Sequence, residues 1–77
     1  MKMNEKILEI AAQAMHVEVE NAAKHWREIP EHNCYYFWNP IKGGISVIIN
    51  TNGEKLGAGS AVNFDRHLKA FLDGRRN

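Results

Sequence analysis

The sequence has few of the residues that stabilise very small proteins. Of its 77 residues only Cys34 is a cysteine, so no disulfide can form within the chain. The hydrophobic core of a domain this small contributes only about 3–5 kcal/mol of net stability. Such domains draw further support from a partner or from a second copy of themselves. The sequence therefore predicts one domain over residues 1–77, with a short basic tail at 75–77, and favours a protein partner or a homodimer.

Long apolar runs and a large net charge are also absent. No stretch approaches the roughly 20 apolar residues of a membrane span. The first ten residues, MKMNEKILEI, have charges spread through them, unlike a signal peptide. With one thiol and no export signal, we expect a cytoplasmic protein without a membrane partner. The 10 basic and 9 acidic residues give a net charge of +1, which disfavours a dedicated nucleic-acid binder.

Residues that could support catalysis or bind a metal lack the necessary spacing. The histidines and the cysteine form no C-x-x-C or H-x-x-x-H pair: His16, His25, His32, Cys34 and His67. Cys34 begins an aromatic segment without the helix N-terminus or fixed cation that activates a thiol, so we expect it to be buried and inert. The segment Gly57–Ser60 lacks the lysine of a phosphate-binding loop. We expect no enzyme activity, no cofactor, no metal and no small-molecule substrate.

The N-terminal third has a helical pattern of apolar residues. From Asn4 to about Arg27 these residues recur every three or four positions: Leu8, Ala12, Met15, Val19, Ala22 and Trp26. Asn4 is the predicted N-cap, and Pro30 stops the helix. Because the segment His16–Val19 has weak helical propensity, both one long helix and two short helices are consistent with the sequence.

Three β-strands are predicted after this helix: CYYFW at 34–38, ISVIIN at 45–50 and KLGAGS at 55–60. A loop at 41–44 joins the first two. Asn52-Gly53 between the last two is typical of a type I′ turn. With these two residues at its centre, the turn aligns three pairs on one apolar face: Ile49 with Leu56, Val47 with Ala58, and Ile45 with Ser60. The other face pairs Ile48 with Gly57.

A final helix follows the hairpin. Asn63 is its predicted N-cap and Gly74 its predicted end. Its expected apolar stripe consists of Phe64, Leu68, Phe71 and Leu72. The order of elements is α-β-β-β-α. The predicted fold class is therefore α+β, with a three-stranded antiparallel meander and two packing helices.

The aromatic strand carries the main functional hypothesis. Tyr36 and Trp38 point to one face, and Tyr35 and Phe37 to the other. An even loop before Ile45 would turn Tyr36 and Trp38 towards the Val47 face; an odd loop would turn Tyr35 and Phe37 there. If both helices cover that face, the second face is a flat patch suited to a protein partner. If the helices cover opposite faces, the aromatics are core. The predicted partner-binding residues are Tyr35, Tyr36, Phe37, Trp38 and Ile48.

Basic residues near the C-terminus support an alternative, a weak nucleic-acid-binding or regulatory domain. Its candidate contacts are Arg66, Lys69, Arg75 and Arg76. The α-β-β-β-α order is also that of double-stranded-RNA-binding domains. Those domains have a lysine cluster at the start of the last helix, where this chain has AVNFDRH. Because that phosphate-binding charge is missing, the sequence favours the protein-binding hypothesis.

Short segments between residues 48 and 71 share a further pattern: Ile48-Ile49, Gly53-Glu54, Gly59-Ser60-Ala61, His67-Leu68 and Phe71. Together with the aromatic strand at 35–38, they resemble the YrhB-like family of small bacterial proteins, grouped with immunity proteins of polymorphic-toxin systems. Where that family has an additional extended segment after its first helix, this chain has NAAKHWREI, which is predicted to be helical. The resemblance implies a cytoplasmic, non-enzymatic protein that binds a cognate toxin, and it assigns no functional residues.

Overall fold

The structure is a computed structural model that describes residues 4–39, 44–59 and 62–76. A four-stranded antiparallel sheet has the strand order β1-β2-β3-β4. In chain order the elements are α1 (Glu5–Met15), α2 (Val19–Ala22), β1 (Trp26–Ile29), β2 (Cys34–Trp38), β3 (Ser46–Asn50), β4 (Lys55–Ala58) and α3 (Phe64–Leu72). The α+β class is confirmed. The three-stranded meander is wrong, because a fourth strand precedes the aromatic one.

Some of the predictions fall on residues 41–43, 60, 61 and 77. Residues 41–43 are most of the predicted loop before Ile45, and residue 60 is the predicted partner of Ile45 in the hairpin. Residues 60 and 61 also belong to the family pattern, and residue 77 ends the predicted basic tail. They lie outside the described residues. None of the described helices is long and apolar enough to cross a membrane.

The N-terminal helical pattern forms two separate helices. The Asn4 side chain accepts a hydrogen bond from the Lys6 N–H at 2.8 Å, as expected of an N-cap. Helix α1 ends where His16 adopts a left-handed conformation, with φ of 57°. The Val17 N–H then bonds back to the Ala12 carbonyl at 3.0 Å. Of the two interpretations, the break at His16–Val19 is the one observed.

The segment that follows α2 is a strand, so the prediction of helix up to Arg27 is wrong. All four residues of β1 pair with β2, from Trp26 opposite Phe37 to Ile29 opposite Cys34. Pro30 starts a 3-10 turn, and Asn33 closes it with φ of 53°. Helical spacing at Trp26 is therefore coincidental. The ladder to β2 supplies backbone hydrogen bonds that outweigh the local helical preference.

Strands β2 and β3 pair in the register that an odd loop gives. Tyr35 lies opposite Ile49, and Phe37 opposite Val47. Tyr36 lies opposite Ile48 on the other face.

The predicted register of the last hairpin is wrong by one residue. Ile48 lies opposite Leu56, and Val47 opposite Gly57. A one-residue shift moves a strand's side chains to the opposite face. Leu56 therefore joins Ile48 instead of Val47, and the face thinned by glycine is the Val47 face.

The two sides of the sheet are covered by different helices. Helix α1 packs on the Val47 face; the buried residues of this first core are Ile7, Leu8, Ala11, Ala12, Met15, Ala22, Phe37, Val47 and Ile49. Helix α3 packs on the Ile48 face, mainly over β3 and β4. The buried residues of this second core are Ile29, Cys34, Ile48 and Phe71. Of the two arrangements that the sequence allows, the helices take opposite faces, and the fully open second face does not exist.

Helix α3 has the predicted ends but a different inner face. The Asn63 side chain accepts from the Arg66 N–H at 2.9 Å. Gly74 has φ of 100°, and the Arg75 N–H bonds to the Ala70 carbonyl at 3.1 Å, which completes a Schellman motif. Leu72 is 48% exposed, so the prediction that it belongs to the apolar stripe facing the core is wrong. Its place is taken by His67, which is 1% exposed.

Candidate protein-binding surface

A cluster of rings lies at the part of the Ile48 face that α3 leaves partly open. Tyr36 and Trp38 stack with their ring centroids 5.9 Å apart. Phe64 meets Tyr36 edge to face at 4.8 Å, and His25 meets Trp38 edge to face at 6.1 Å. All four side chains are partly exposed. We call these four residues, together with Arg27, the aromatic platform.

Three elements place these side chains together. Tyr36 and Trp38 are alternate residues of β2, so both point to the same face. Arg27 lies opposite Tyr36 on β1, and the His25 carbonyl accepts from the Trp38 N–H at 3.1 Å. Phe64 is the first residue of α3, directly after its N-cap. The helix cap and the β1–β2 register therefore set the geometry of the platform.

Arg27 is the exposed cation of this surface. Its guanidinium carbon lies 4.2 Å from the centroid of the Phe64 ring and 5.8 Å from that of Tyr36. Within the described residues Arg27 forms no ion pair. The rings hold the flat guanidinium in place by a cation–π interaction, and the residue as a whole is exposed. The sequence did not identify Arg27 as a site residue. The predicted helix extended to about this position, and a helix would not have aligned Arg27 opposite Tyr36 in the sheet.

The predicted partner-binding residues are divided between the surface and the interior. Phe37 and Ile48 are both 0% exposed, in different cores, so neither can contact a docked protein. Tyr35 is partly exposed on the opposite face, where it meets Trp26 edge to face. Only Tyr36 and Trp38 belong to the aromatic platform. Their role in binding stays a prediction.

One of the four basic residues of the alternative hypothesis, Arg76, makes several contacts with the rest of the fold. Arg66, Lys69 and Arg75 are exposed. Arg76 folds back on the molecule, with its guanidinium carbon 3.9 Å from the centroid of the Phe71 ring and an ion pair to Glu54 at 3.8 Å. It also donates to the Phe71 carbonyl at 2.7 Å. Arg76 therefore stabilises the end of α3 by local contacts.

Cys34 is buried, as expected, with 0% exposure. Burial raises the pKa of its thiol, and the charge of Glu31 adds to this, against a smaller opposing effect of Arg76. The neutral thiol is therefore the stable form at neutral pH, and it is a poor nucleophile. Among the described residues, no three His, Cys, Asp or Glu side chains lie close enough together to hold a metal ion.

His67 is a buried polar residue that was not predicted to face the core. Its Nε2 lies 2.6 Å from the Leu56 carbonyl oxygen, and its Nδ1 lies 3.2 Å from Ser46 Oγ. The helical stripe could have identified it, because position 67 is three residues after Phe64 and four before Phe71. The hydrophobic pattern passed over it since histidine is polar.

Comparison of the chain with known protein families, with characterised proteins and with solved structures finds no significant match. The family resemblance noted in the sequence therefore stays a prediction.

Proposed function

We propose that this chain is a small protein-binding module and that the aromatic platform is its contact surface. One observation carries the proposal. Tyr36, Trp38 and Phe64 pack against one another and remain partly exposed, with the guanidinium of Arg27, which forms no ion pair among the described residues, above them. Tyrosine, tryptophan and arginine are the residues that contribute most of the binding energy at protein interfaces.

The packing of the platform favours binding because it reduces the entropy lost on association. Side chains already held by ring contacts have few rotamers left to lose when a partner docks. The guanidinium of the exposed Arg27 is likewise held above Phe64, and guanidinium groups bind carboxylates with two parallel hydrogen bonds. Acidic residues on the partner would therefore complement this position.

The partner class is proposed from the sequence. The resemblance to YrhB-like proteins supports an immunity or antitoxin type of protein that binds a cognate toxin in the cytoplasm. Two residues support a function without catalysis. The Cys34 thiol is buried, and both ring nitrogens of His67 are hydrogen-bonded within the fold. A second copy of the chain is the other protein that the platform could accept.

Partner capture with matched variants tests the proposal. The tagged wild-type chain and a Tyr36→Ala/Trp38→Ala variant would be used to retain proteins from native host cells. A Leu72→Ser variant serves as the control, because Leu72 is an exposed apolar residue outside the platform. The retained protein would then be purified, and its affinity measured by calorimetry. We expect the double variant to lose at least about 30-fold in affinity and the control to bind like the wild type.

Two results would contradict the proposal. One is a wild-type chain that retains no specific protein and is a monomer in solution. The other is a purified partner that binds the double variant as tightly as the wild type. Circular dichroism and thermal melting of each variant would establish that it is folded.

A weak nucleic-acid-binding function is the second candidate, because aromatic side chains on a sheet can also stack on unpaired bases. The exposed Arg66, Lys69 and Arg75 would supply phosphate contacts. Such binding must weaken steeply as salt rises. Titration of single- and double-stranded RNA and DNA at low salt is the test, and undetectable binding would eliminate this candidate.

A further inference from the structure

His67 connects α3 to two strands through a fully used imidazole. A carbonyl oxygen can only accept, so the contact of 2.6 Å to Leu56 places the ring proton on Nε2. In the neutral ring Nδ1 is then an acceptor, and the Ser46 hydroxyl donates to it across 3.2 Å. The neutral ring with its proton on Nε2 therefore satisfies both β3 and β4.

Protonation would reverse the hydrogen bond to Ser46 and place a positive charge on a buried ring. Nδ1 would gain a hydrogen and donate to Ser46 Oγ, so the serine hydroxyl hydrogen would lose Nδ1 as its acceptor and have to turn elsewhere. The new charge would also lie on a residue that is 1% exposed. Burial lowers the pKa of His67, and the hydrogen bond to the Leu56 carbonyl opposes this effect.

The surroundings of His67 offer a positive charge little compensation. From β2 the titratable side chain facing it is Tyr36, with ring centroids 6.0 Å apart. From β3 and β4 it meets the Ser46 hydroxyl and the Leu56 carbonyl. The charged side chains nearest to it along α3 itself are exposed: Asp65, Arg66 and Lys69. Within the described residues His67 forms no ion pair.

The core beneath α3 is separate from the core beneath α1 and is the smaller one. It consists of four buried residues, Ile29, Cys34, Ile48 and Phe71, whereas the α1 core contains Phe37, Val47, Ile49 and six residues of the first two helices. Opening the α3 side alone therefore exposes less apolar surface than complete unfolding does.

We propose that His67 is a pH-sensitive latch, whose protonation releases α3 from the sheet while the α1 side stays folded. This inference is independent of the proposed function. Because the open state binds the proton more tightly, the latch is fully effective above the ordinary histidine pKa of 6.5 and weakens as the pH falls below it. Phe64 lies on α3, so release also dismantles the aromatic platform.

The chain contains its own reporter of this opening. Cys34 is the only cysteine, is 0% exposed and belongs to the α3 core. Its rate of reaction with 4,4′-dithiodipyridine, a disulfide that reacts with thiols at acid pH, can be divided by the rate in denaturant at the same pH. This ratio gives the open fraction without the intrinsic pH dependence of the thiol. At pH 5.5 we expect this ratio to be higher than at pH 7.5, by up to about tenfold, which is the limit that one pH unit below 6.5 sets.

Two histidine variants isolate the effect. In His67→Gln the amide can still donate to the Leu56 carbonyl but does not titrate, so its open fraction should be the same at both pH values. In His25→Gln, which changes a partly exposed histidine outside the α3 core, the wild-type pH dependence should persist. If His67→Gln fails to fold, the NMR titration of His67 in the wild type replaces it, and a pKa at or above 6.5 contradicts the latch.

Hydrogen exchange distinguishes local from complete opening. Amides of α1 and of Val47 and Ile49 should keep their protection at pH 5.5 while those of α3 lose it. The proposal is wrong if the open fraction is independent of pH, if His67→Gln keeps the wild-type dependence, or if α1 and α3 lose protection together.

Discussion

At the scale of single residues, Asn50 determines how the last hairpin turns. Its side-chain oxygen accepts from the N–H groups of Asn52 and Glu54, both at 3.0 Å, and its amide donates to the Glu54 carboxylate at 2.8 Å. The Gly53 N–H also bonds to the Asn50 carbonyl, and Gly53 has φ of 87°. The result is a three-residue loop with glycine in the left-handed position instead of a two-residue type I′ turn.

We expect Asn50→Ala to destabilise the fold by about 1–2 kcal/mol, because three hydrogen bonds that close the turn are lost. Urea unfolding would measure this change. Thr51→Ala is the matched control: only the backbone N–H of Thr51 has a described bond, to the Asn33 carbonyl, so its effect should stay within about 0.5 kcal/mol. Equal effects of the two substitutions would mean that the Asn50 side chain does not close the turn.

This residue also shows where prediction from sequence failed. Asn52-Gly53 correctly marks a turn, but glycine can be the last loop residue of both two-residue and three-residue hairpins. The choice between them depends on a side chain just outside the dipeptide. That choice then moves Leu56 from one face of the sheet to the other.

At the scale of elements, the helix caps and the aromatic strand were predictable because their causes are local. Asn4 and Asn63 bond to backbone groups two and three residues away. Strand β1 was not predictable in this way. Its first residue, Trp26, fits the helical spacing, and the segment becomes a strand because β2 pairs with it along its whole length.

Helix α3 provides a direct test of which of its residues face the sheet. Phe71 is 3% exposed and belongs to the core, whereas its neighbour Leu72 is 48% exposed. Phe71→Ala should therefore destabilise the fold by about 3–5 kcal/mol, and Leu72→Ala by less than about 0.5 kcal/mol.

Urea or thermal unfolding of the two variants measures this contrast. A large loss in Leu72→Ala, together with a small one in Phe71→Ala, would mean that α3 is rotated about its axis relative to the described structure.

At the scale of the whole molecule, the sheet is covered by one helical layer on each side, and this arrangement determines what is left for a partner. The sequence could not choose between the two arrangements, since α3 has an apolar stripe that fits either face. The choice removes Phe37 and Ile48 from the candidate site, since both are 0% exposed. It retains Tyr36 and Trp38 and adds His25, Arg27 and Phe64, three residues that come together only in the folded chain.

Nuclear Overhauser contacts between α3 and the sheet test this arrangement most directly. The ring protons of Phe64 should show contacts to those of Tyr36, whose ring centroid is 4.8 Å away, and Phe71 should show contacts to the Ile48 methyl groups. Contacts from α3 to Val47 and Ile49 instead would place both helices on one face. That result would contradict the opposite-face packing on which the aromatic platform and the His67 latch depend.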